Sequence, residues 1–306
     1  MVGKNIKLLV IVGPTATGKT KLAVKLAQFF NGEIVSADSR QVYKGMDIGT
    51  GKDLSDFKIT SSQSIPYHCI DIVSPRTDFN LAKYLKHAKK AIHDISRCGK
   101  LPILVGGSGL YFQALVDGYD LSLIAPDHKL RGNLEKKSLI QLQNILNKLD
   151  PTIKSEIKNR RYLIRYIEML SHSRSSLDDI LKKQGNGYDC LVLGMDVSRQ
   201  KIIAKIDKRL MDRILHEGMV EEVSKLHYQQ KVSWHRLESF GLEYKFISQY
   251  LQKKLTEEQM IEKLSIAIHQ FAKRQMSWLR RWERQGQKIH WVDNLQKAKQ
   301  IIRGWI

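Results

Sequence analysis

A phosphate-binding loop lies near the amino terminus: Gly13-Pro14-Thr15-Ala16-Thr17-Gly18-Lys19-Thr20. The apolar run Leu8 to Val12 precedes it, and the helical pattern Leu22, Val24, Leu26, Ala27 follows. Strand, GxxxxGKT loop and helix in that order restrict the chain to a sheet whose first turn cradles an anion. Successive loop N–H groups form a nest, and the helix adds its positive end. Lys19 supplies a point charge, and the Thr20 hydroxyl suits a Mg²⁺ shared with phosphate. The loop therefore specifies a held di- or triphosphate. It leaves open whether that group is ATP or another diphosphate.

Short apolar runs then alternate with helical stretches, the pattern of an α/β fold with a parallel sheet flanked by helices, like that of P-loop NTPases. The expected strands are Lys7–Val12, Glu33–Ser36, His68–Ile72, Pro102–Val105, Cys190–Met195 and Ile289–Val292. From about Leu121 to Gly187 the sequence is polar, helical in period and rich in Lys and Arg. It reads as a mostly helical insertion at 119–189, with 1–118 and 190–306 forming the P-loop core. Gln184-Gly185-Asn186-Gly187 is the expected return linker. Ser198 is a candidate N-cap for a helix to about His216, which Gly218 ends or breaks. Thr256 and Gln259 form a capping box for a helix to about Arg284.

The balance of 51 Lys+Arg against 31 Asp+Glu gives a net charge of +20. That field favours a polyanionic partner such as nucleic acid. Arginines cluster on helices: Arg161 with Arg165, and Arg209 with Arg213, each four residues apart. On the last long helix, Lys273, Arg280 and Arg284 lie nearly opposite an apolar stripe of Leu264, Ile268, Phe271, Trp278 and Trp282. Such a stripe suits phosphate-backbone contact, or is simply a solvated face. Gln275 falls with the apolar set. It either satisfies a buried backbone group or lines a crevice. Cys69, Cys98 and Cys190 give neither a metal-ligand spacing nor a disulfide framework, which fits a reducing, cytoplasmic setting. No apolar run is long enough to span a bilayer, so no membrane association is expected.

Two further segments follow expected strands. Ser36-Ala37-Asp38-Ser39-Arg40-Gln41 places Asp38 at the carboxyl edge of the sheet, where α/β folds bind ligands. Its carboxylate can accept a proton, or cap a helix. Val105-Gly106-Gly107-Ser108-Gly109-Leu110-Tyr111-Phe112 puts Ser108 at a helix start, its hydroxyl toward the crevice or acting as a cap.

These pieces together resemble bacterial tRNA dimethylallyltransferases, the tRNA isopentenyltransferase family. The matching stretches are GPTATGKT at 13–20, SADSRQVYKGMDIGTGK at 36–52 and HCIDIVSP at 68–75. VGGSGLYF at 105–112, NRRYLIRYIE at 159–168, DKRLMDRILHEGMVEEV at 207–223 and AKRQMSWLRRW at 272–282 complete the set. They run in the family's order over nearly the whole chain. The resemblance implies transfer of a dimethylallyl group from dimethylallyl diphosphate to N6 of the adenosine beside a tRNA anticodon, with Mg²⁺. It implies Asp38 and Ser108 as catalytic groups, and Gly13 to Thr20 with Arg209 as the diphosphate site. It also implies tRNA contacts at Asp38, Ser39, Arg40, Gln41, Ser108, Arg131, Arg161 and Arg165, on the anticodon stem-loop. Thr20 is the metal-side ligand, and the chain is expected to act as a monomer. Ser108 stands where the family commonly has Thr. Phe240-Gly241-Leu242-Glu243-Tyr244 departs from the family's usual order, and no role attaches to Glu243 or Tyr244. A P-loop kinase would use the same loop on ATP, with Asp38 activating a hydroxyl. That reading explains neither the +20 charge nor the basic helices. An RNA-binding ATPase leaves Asp38 and Ser108 without purpose. A conventional prenyltransferase is disfavoured by the lack of a DDxxD pair.

Overall fold

The computed structural model describes residues 5–60, 62–118, 127–151, 153, 159–172 and 187–306. Six parallel strands form one sheet: β1 Ile6–Val12, β2 Gly32–Ser36, β3 Tyr67–His68, β4 Leu101–Gly106, β5 Tyr188–Met195 and β6 His290–Val292, in the order β3-β2-β4-β1-β5-β6. Leu9 on central β1 pairs with Ile103 on β4 and Leu191 on β5. Leu9, Ile11, Ile103, Val105, Leu191 and Leu193 pack with Leu22, Ala23 and Leu26 of the helix Lys19–Phe29. Leu8, Val10 and Val12 alternate with them and are also fully buried. Burial on both faces explains why β1 reads as an unbroken apolar run, as parallel strands do. The helix Leu81–Arg97 lies against β2, β4 and β1.

A second core lies in the carboxyl-terminal helices Arg199–Leu215, Met219–Tyr228, Trp234–Phe240, Leu242–Leu251 and Glu257–Arg284. Val42, Tyr43 and Met46, from the segment after β2, insert into it. The Thr256–Gln259 capping box forms as expected. Ser198 stands at the expected N-cap position, but its side chain makes no capping hydrogen bond. Gly218, with φ of 79°, starts the helix Met219–Tyr228 in a conformation that disfavours a Cβ.

The chain divides into two compact units, Met1–Val116 with Gly187–Ile306, and Asp117–Asn186. The smaller unit has helices His128–Leu134, Leu139–Leu149 and Arg160–Ser171 around Leu134, Leu142, Leu146, Leu163, Ile164, Ile167 and Leu170. Ser138 and Gln141 cap its second helix reciprocally. The Gln184–Asn186 part of the expected linker lies outside the described residues.

The third strand is shorter than the expected His68–Ile72. Cys69 at φ 63° and Asp71 at φ 54° turn the chain out of the extended conformation. The N–H groups of Ile72 and Val73 donate to Val42 O instead of continuing the sheet. The segment after β2 is thereby stapled in place. Lys52, 1% exposed, donates from Nζ to Tyr43 O at 2.7 Å and Asp47 Oδ1 at 2.6 Å, and pairs with Asp71. Removing this ammonium strands two carboxylates and a carbonyl. Both carboxylates are partly solvated, so the loss falls below that of a fully buried ion pair. Lys52→Met is expected to lower unfolding stability by about 2–4 kcal/mol in urea titration. Unchanged stability would contradict the staple.

Candidate active site

β1, β4 and β2 are adjacent and parallel, so their carboxyl ends deliver three loops to one edge. Those loops line a cavity of about 620 Å³. Thr15, Ala16, Gly18, Lys19 and Thr20 come from the loop after β1, Asp38 to Gln41 from the loop after β2, and Gly106 to Ser108 from the loop after β4. The helix Arg199–Leu215 faces them with Lys205, Lys208, Arg209 and Arg213.

The phosphate loop has the backbone that an anion nest needs. Ala16 and Gly18 adopt positive φ, 61° and 86°. Thr17 Oγ1 and Lys19 Nζ both donate to Pro14 O, at 2.8 and 2.9 Å, and close the loop on itself. The following helix has no acidic residue in its first turn and no side-chain cap, so its positive end is left to a ligand. Burial pushes the Lys19 ammonium down to about 8, Asp38 opposes the shift and Arg209 adds to it. Lys19 of the loop and Arg209 of the helix Arg199–Leu215 thus stand near enough to repel, in advance of an anion that would stabilise both.

Gln275 joins two of the loops. Its Oε1 accepts from the Thr15 N–H at 2.8 Å, and its Nε2 donates to Gly107 O at 2.9 Å. Both readings of this residue are therefore realised, since it also lines the cavity. A Cβ on Gly107 would sit 2.3 Å from Gln275 Nε2, so glycine is required for that approach. A Cβ added at Gly109 would likewise sit 2.5 Å from Trp278 Cγ.

Asp38 caps no helix, and Ser108, whose carbonyl accepts from the Tyr111 and Phe112 N–H groups at the helix start, makes no side-chain cap. No helix follows Asp38; its Oδ1 accepts from the Arg40 N–H at 2.8 Å in a tight turn, using one of the two carboxylate oxygens. The Ser108 hydroxyl accepts from the Ser39 N–H at 3.0 Å rather than from its own helix. Ser108 is thus tied to Ser39, the residue that follows Asp38. Gln41 Nε2 donates to Gly51 O at 3.2 Å, and its Oε1 accepts from Ser36 Oγ at 2.8 Å. Arg40 stacks 5.2 Å from the Phe240 ring centroid. Arg209 and Arg213 each direct Nη2 to Asp53, at 3.1 and 3.0 Å.

In the smaller unit, Arg131 makes a bidentate pair with Glu168, Nε and Nη2 each at 2.8 Å, and Arg165 pairs with the same carboxylate. Glu168 is fully buried, and its two guanidiniums hold its carboxyl below the usual range against the opposing effect of burial. The side chain of Arg161 lies outside the described residues.

The IPP transferase family model matches residues 41–282, and an isopentenyl transferase model matches residues 6–66. The chain belongs to the IPP transferase family. It is 43% identical to tRNA dimethylallyltransferase 1 of Syntrophus aciditrophicus over 97% of each chain. Its fold matches the full-length tRNA isopentenylpyrophosphate transferase of Bacillus halodurans with a TM-score of 0.68, at 32% identity over 97% and 96% of the two chains. It matches a eukaryotic dimethylallyltransferase acting on tRNA with a TM-score of 0.75, at 29% identity over 90% and 70%.

Sequence reasoning missed the groups that hold the cavity wall. Glu222 accepts from the N–H groups of Asp47, Ile48 and Gly49, at 2.7, 2.6 and 3.1 Å, and from Tyr244 Oη at 2.7 Å. Tyr244, which carried no role, is therefore a structural donor beneath the loop. Glu243 lines the cavity, and burial pushes its carboxyl up to about 7, opposed by Arg213 and Arg209.

The depressed Lys19 has a pH consequence. Its folded-state value, about 8, lies below the unfolded one, so charging it costs stability below pH 8 and that cost is relieved as pH rises toward 10.5. A bound diphosphate favours the ammonium and must recruit a proton above pH 8. Relative to Lys19→Arg, which stays charged, pyrophosphate affinity is expected to fall as pH rises from 7.5 to 9.5. Parallel pH profiles for the two proteins, measured by calorimetry, would contradict this.

Proposed function

We propose that this chain transfers a dimethylallyl group from dimethylallyl diphosphate to N6 of the adenosine beside a tRNA anticodon, releasing diphosphate. The observation that carries this reading is the convergence of Lys19, Asp38 and Ser108, from three strand ends, on one cavity. Family membership and the near-full-length matches to tRNA dimethylallyltransferases support it.

The diphosphate lies in the loop Gly13–Thr20, gripped by backbone N–H groups, the Lys19 ammonium and Arg209. As the allylic C–O bond breaks, its electron pair goes to the leaving oxygen, and these preorganised donors stabilise the charge. The N6 lone pair forms the new C–N bond. That amine is a weak nucleophile because its electrons are delocalised into the ring. Asp38 accepts the N6 proton, so the products are a neutral secondary amine and the released diphosphate. Ser108, tied to Ser39 beside Asp38, orients the amine. The target base must leave its stack to reach the cavity. Arg40, Gln41, Arg131, Arg161 and Arg165 contribute to binding the anticodon stem-loop.

The residues fit Mg²⁺ of one kind only. Among the described residues no cluster of His, Cys, Asp or Glu would hold a metal by itself. The Thr20 hydroxyl at the cavity wall suits an ion bound jointly with phosphate oxygens, the manner in which Mg²⁺ is usually held. Bound there, Mg²⁺ would supply positive charge against the departing diphosphate.

The test incubates the protein with dimethylallyl diphosphate, Mg²⁺ and unmodified tRNA, followed by nucleoside mass analysis. An adenosine carrying one five-carbon unit is expected. In a parallel incubation with ATP, its consumption without that product in the first would support the kinase reading instead. Asp38→Ala is expected to lower kcat by about 10²–10⁴, the range for a lost general base, with tRNA affinity retained. Turnover near wild type in that variant would remove Asp38 from the mechanism.

A further inference from the structure

The segment Gly49 to Asp53 forms one wall of the cavity, and its backbone is unusually constrained. Glu222 fixes the N–H groups of Asp47, Ile48 and Gly49. Gln41 holds Gly51 O, and the buried Lys52 anchors the next residue through Tyr43 O, Asp47 and Asp71. Gly51 abuts the guanidiniums: a Cβ there would meet Arg213 Nη2 at 2.8 Å and Arg209 Nη2 at 3.0 Å. The φ of Gly51 is +65°, so a side chain is excluded twice over.

Asp53 ends this wall at φ 41°, in the left-handed region that Asp tolerates better than most residues. It stands at the N-cap of the 3₁₀ turn Leu54–Phe57, yet its side chain makes no capping bond. The carboxylate instead spans two arginines. Oδ2 accepts from Arg209 Nη2 at 3.1 Å, and Oδ1 accepts from Arg213 Nη2 at 3.0 Å. Asp56, paired with Lys21 at 3.7 Å, and Glu217, 3.8 Å from Arg213 Nε, add further opposing charge, but Asp53 alone hydrogen-bonds both guanidiniums.

Arg209 and Arg213 lie one turn apart on the same helix, where like charges repel. Burial pushes the Arg209 guanidinium down, and the Arg213 charge adds to that shift, while Asp53 opposes it. Each arginine gives Asp53 a single Nη2. A guanidinium has several further N–H groups, and both side chains line the cavity. One oxygen to each arginine therefore fixes two forks without exhausting them.

We propose that Asp53 is a positioning residue that holds Arg209 and Arg213 as a paired guanidinium clamp for the departing diphosphate. The inference adds Arg213 to the diphosphate site, and it rests on the reading of that site as a diphosphate cradle. The clamp and the nest line the same cavity, so a diphosphate held there meets the cations of both. Fixing both guanidiniums beforehand removes reorganisation at the moment of bond breaking.

The experiment measures inorganic pyrophosphate binding by calorimetry in Mg²⁺, and prenyl transfer at saturating tRNA. It compares the full chain with Asp53→Asn, Asp53→Glu, Arg213→Met and the Asp53→Asn/Arg213→Met double variant. Asp53→Asn is expected to weaken pyrophosphate binding and raise KM for dimethylallyl diphosphate about tenfold, with KM for tRNA unchanged. Asp53→Glu, which keeps the charge, is expected to recover most of that loss. In the Arg213→Met background, Asp53→Asn is expected to weaken binding by clearly less than the roughly tenfold it causes alone, because only the Arg209 contact remains to be lost. Pyrophosphate binding by Asp53→Asn as tight as wild type would overturn the proposal. Tighter binding would also overturn it, and would make Asp53 an internal competitor. Wild-type protein that takes up neither pyrophosphate nor the allylic diphosphate would overturn the function itself; a wild type that binds both, beside an unaffected Asp53→Asn, would overturn the clamp alone.

Discussion

Parallel pairing of β2, β4 and β1 is the constraint from which the cavity follows. Three strands that run the same way and lie side by side must end on one edge. The turns after them therefore meet, although their sequences lie far apart: the phosphate loop near residue 15, Asp38 and Ser108. Gln275 then ties the first turn to the third with one amide. Once those turns are fixed, Lys19, Arg209 and Arg213 line the same cavity as the nest, which favours an anion there. The depressed Lys19 and the Arg209–Arg213 pair register the cost of keeping that space prepared.

The same edge shows how a loop familiar from nucleotide-binding proteins can serve different chemistry. A nest, a helix end and a lysine stabilise negative charge whatever bond is breaking. What distinguishes the reaction is the set of groups facing the nest. Here the Asp38 carboxylate, held on the Arg40 N–H, and the Ser108 hydroxyl, held on the adjacent Ser39 N–H, line one cavity with lysines and arginines. That arrangement suits attack by an amine on an allylic carbon, with the diphosphate held as the group that departs.

Much of this was legible in the sequence. Five of the six strands lie where apolar runs place them, most plainly β1 and β4, whose burial on both faces demands apolar residues in nearly every position. Gln275 stood out as the single amide in an apolar helical stripe, and it is the residue that bridges two loops. The third strand is shorter than expected because Cys69 and Asp71 turn left-handed; Asp71, of a type that tolerates that region, is the one sequence signal of the break, and Cys69 carries none. The wall after β2 was hidden for another reason. Glu222 reaches Asp47 to Gly49 across more than 170 positions, and a buried glutamate looks like any surface one in a helix of mixed charge. Asp53 passed as an ordinary loop residue until its two arginine partners came into view. Asp38 and Ser108 were placed correctly at the edge, but their capping alternatives could be set aside only from the hydrogen bonds.

The central claim is that the cradle holds a leaving group and that the bond it helps to break joins carbon to oxygen. The most direct measurement uses dimethylallyl diphosphate labelled with ¹⁸O at the bridging oxygen, with unmodified tRNA as acceptor, and follows the label by mass spectrometry. Cleavage between carbon and oxygen predicts that the label stays wholly in the released diphosphate, with one dimethylallyl group on tRNA for each diphosphate formed. Recovery of the label in dimethylallyl alcohol, with no prenylated tRNA, would mean that a phosphorus–oxygen bond had broken and would contradict the account.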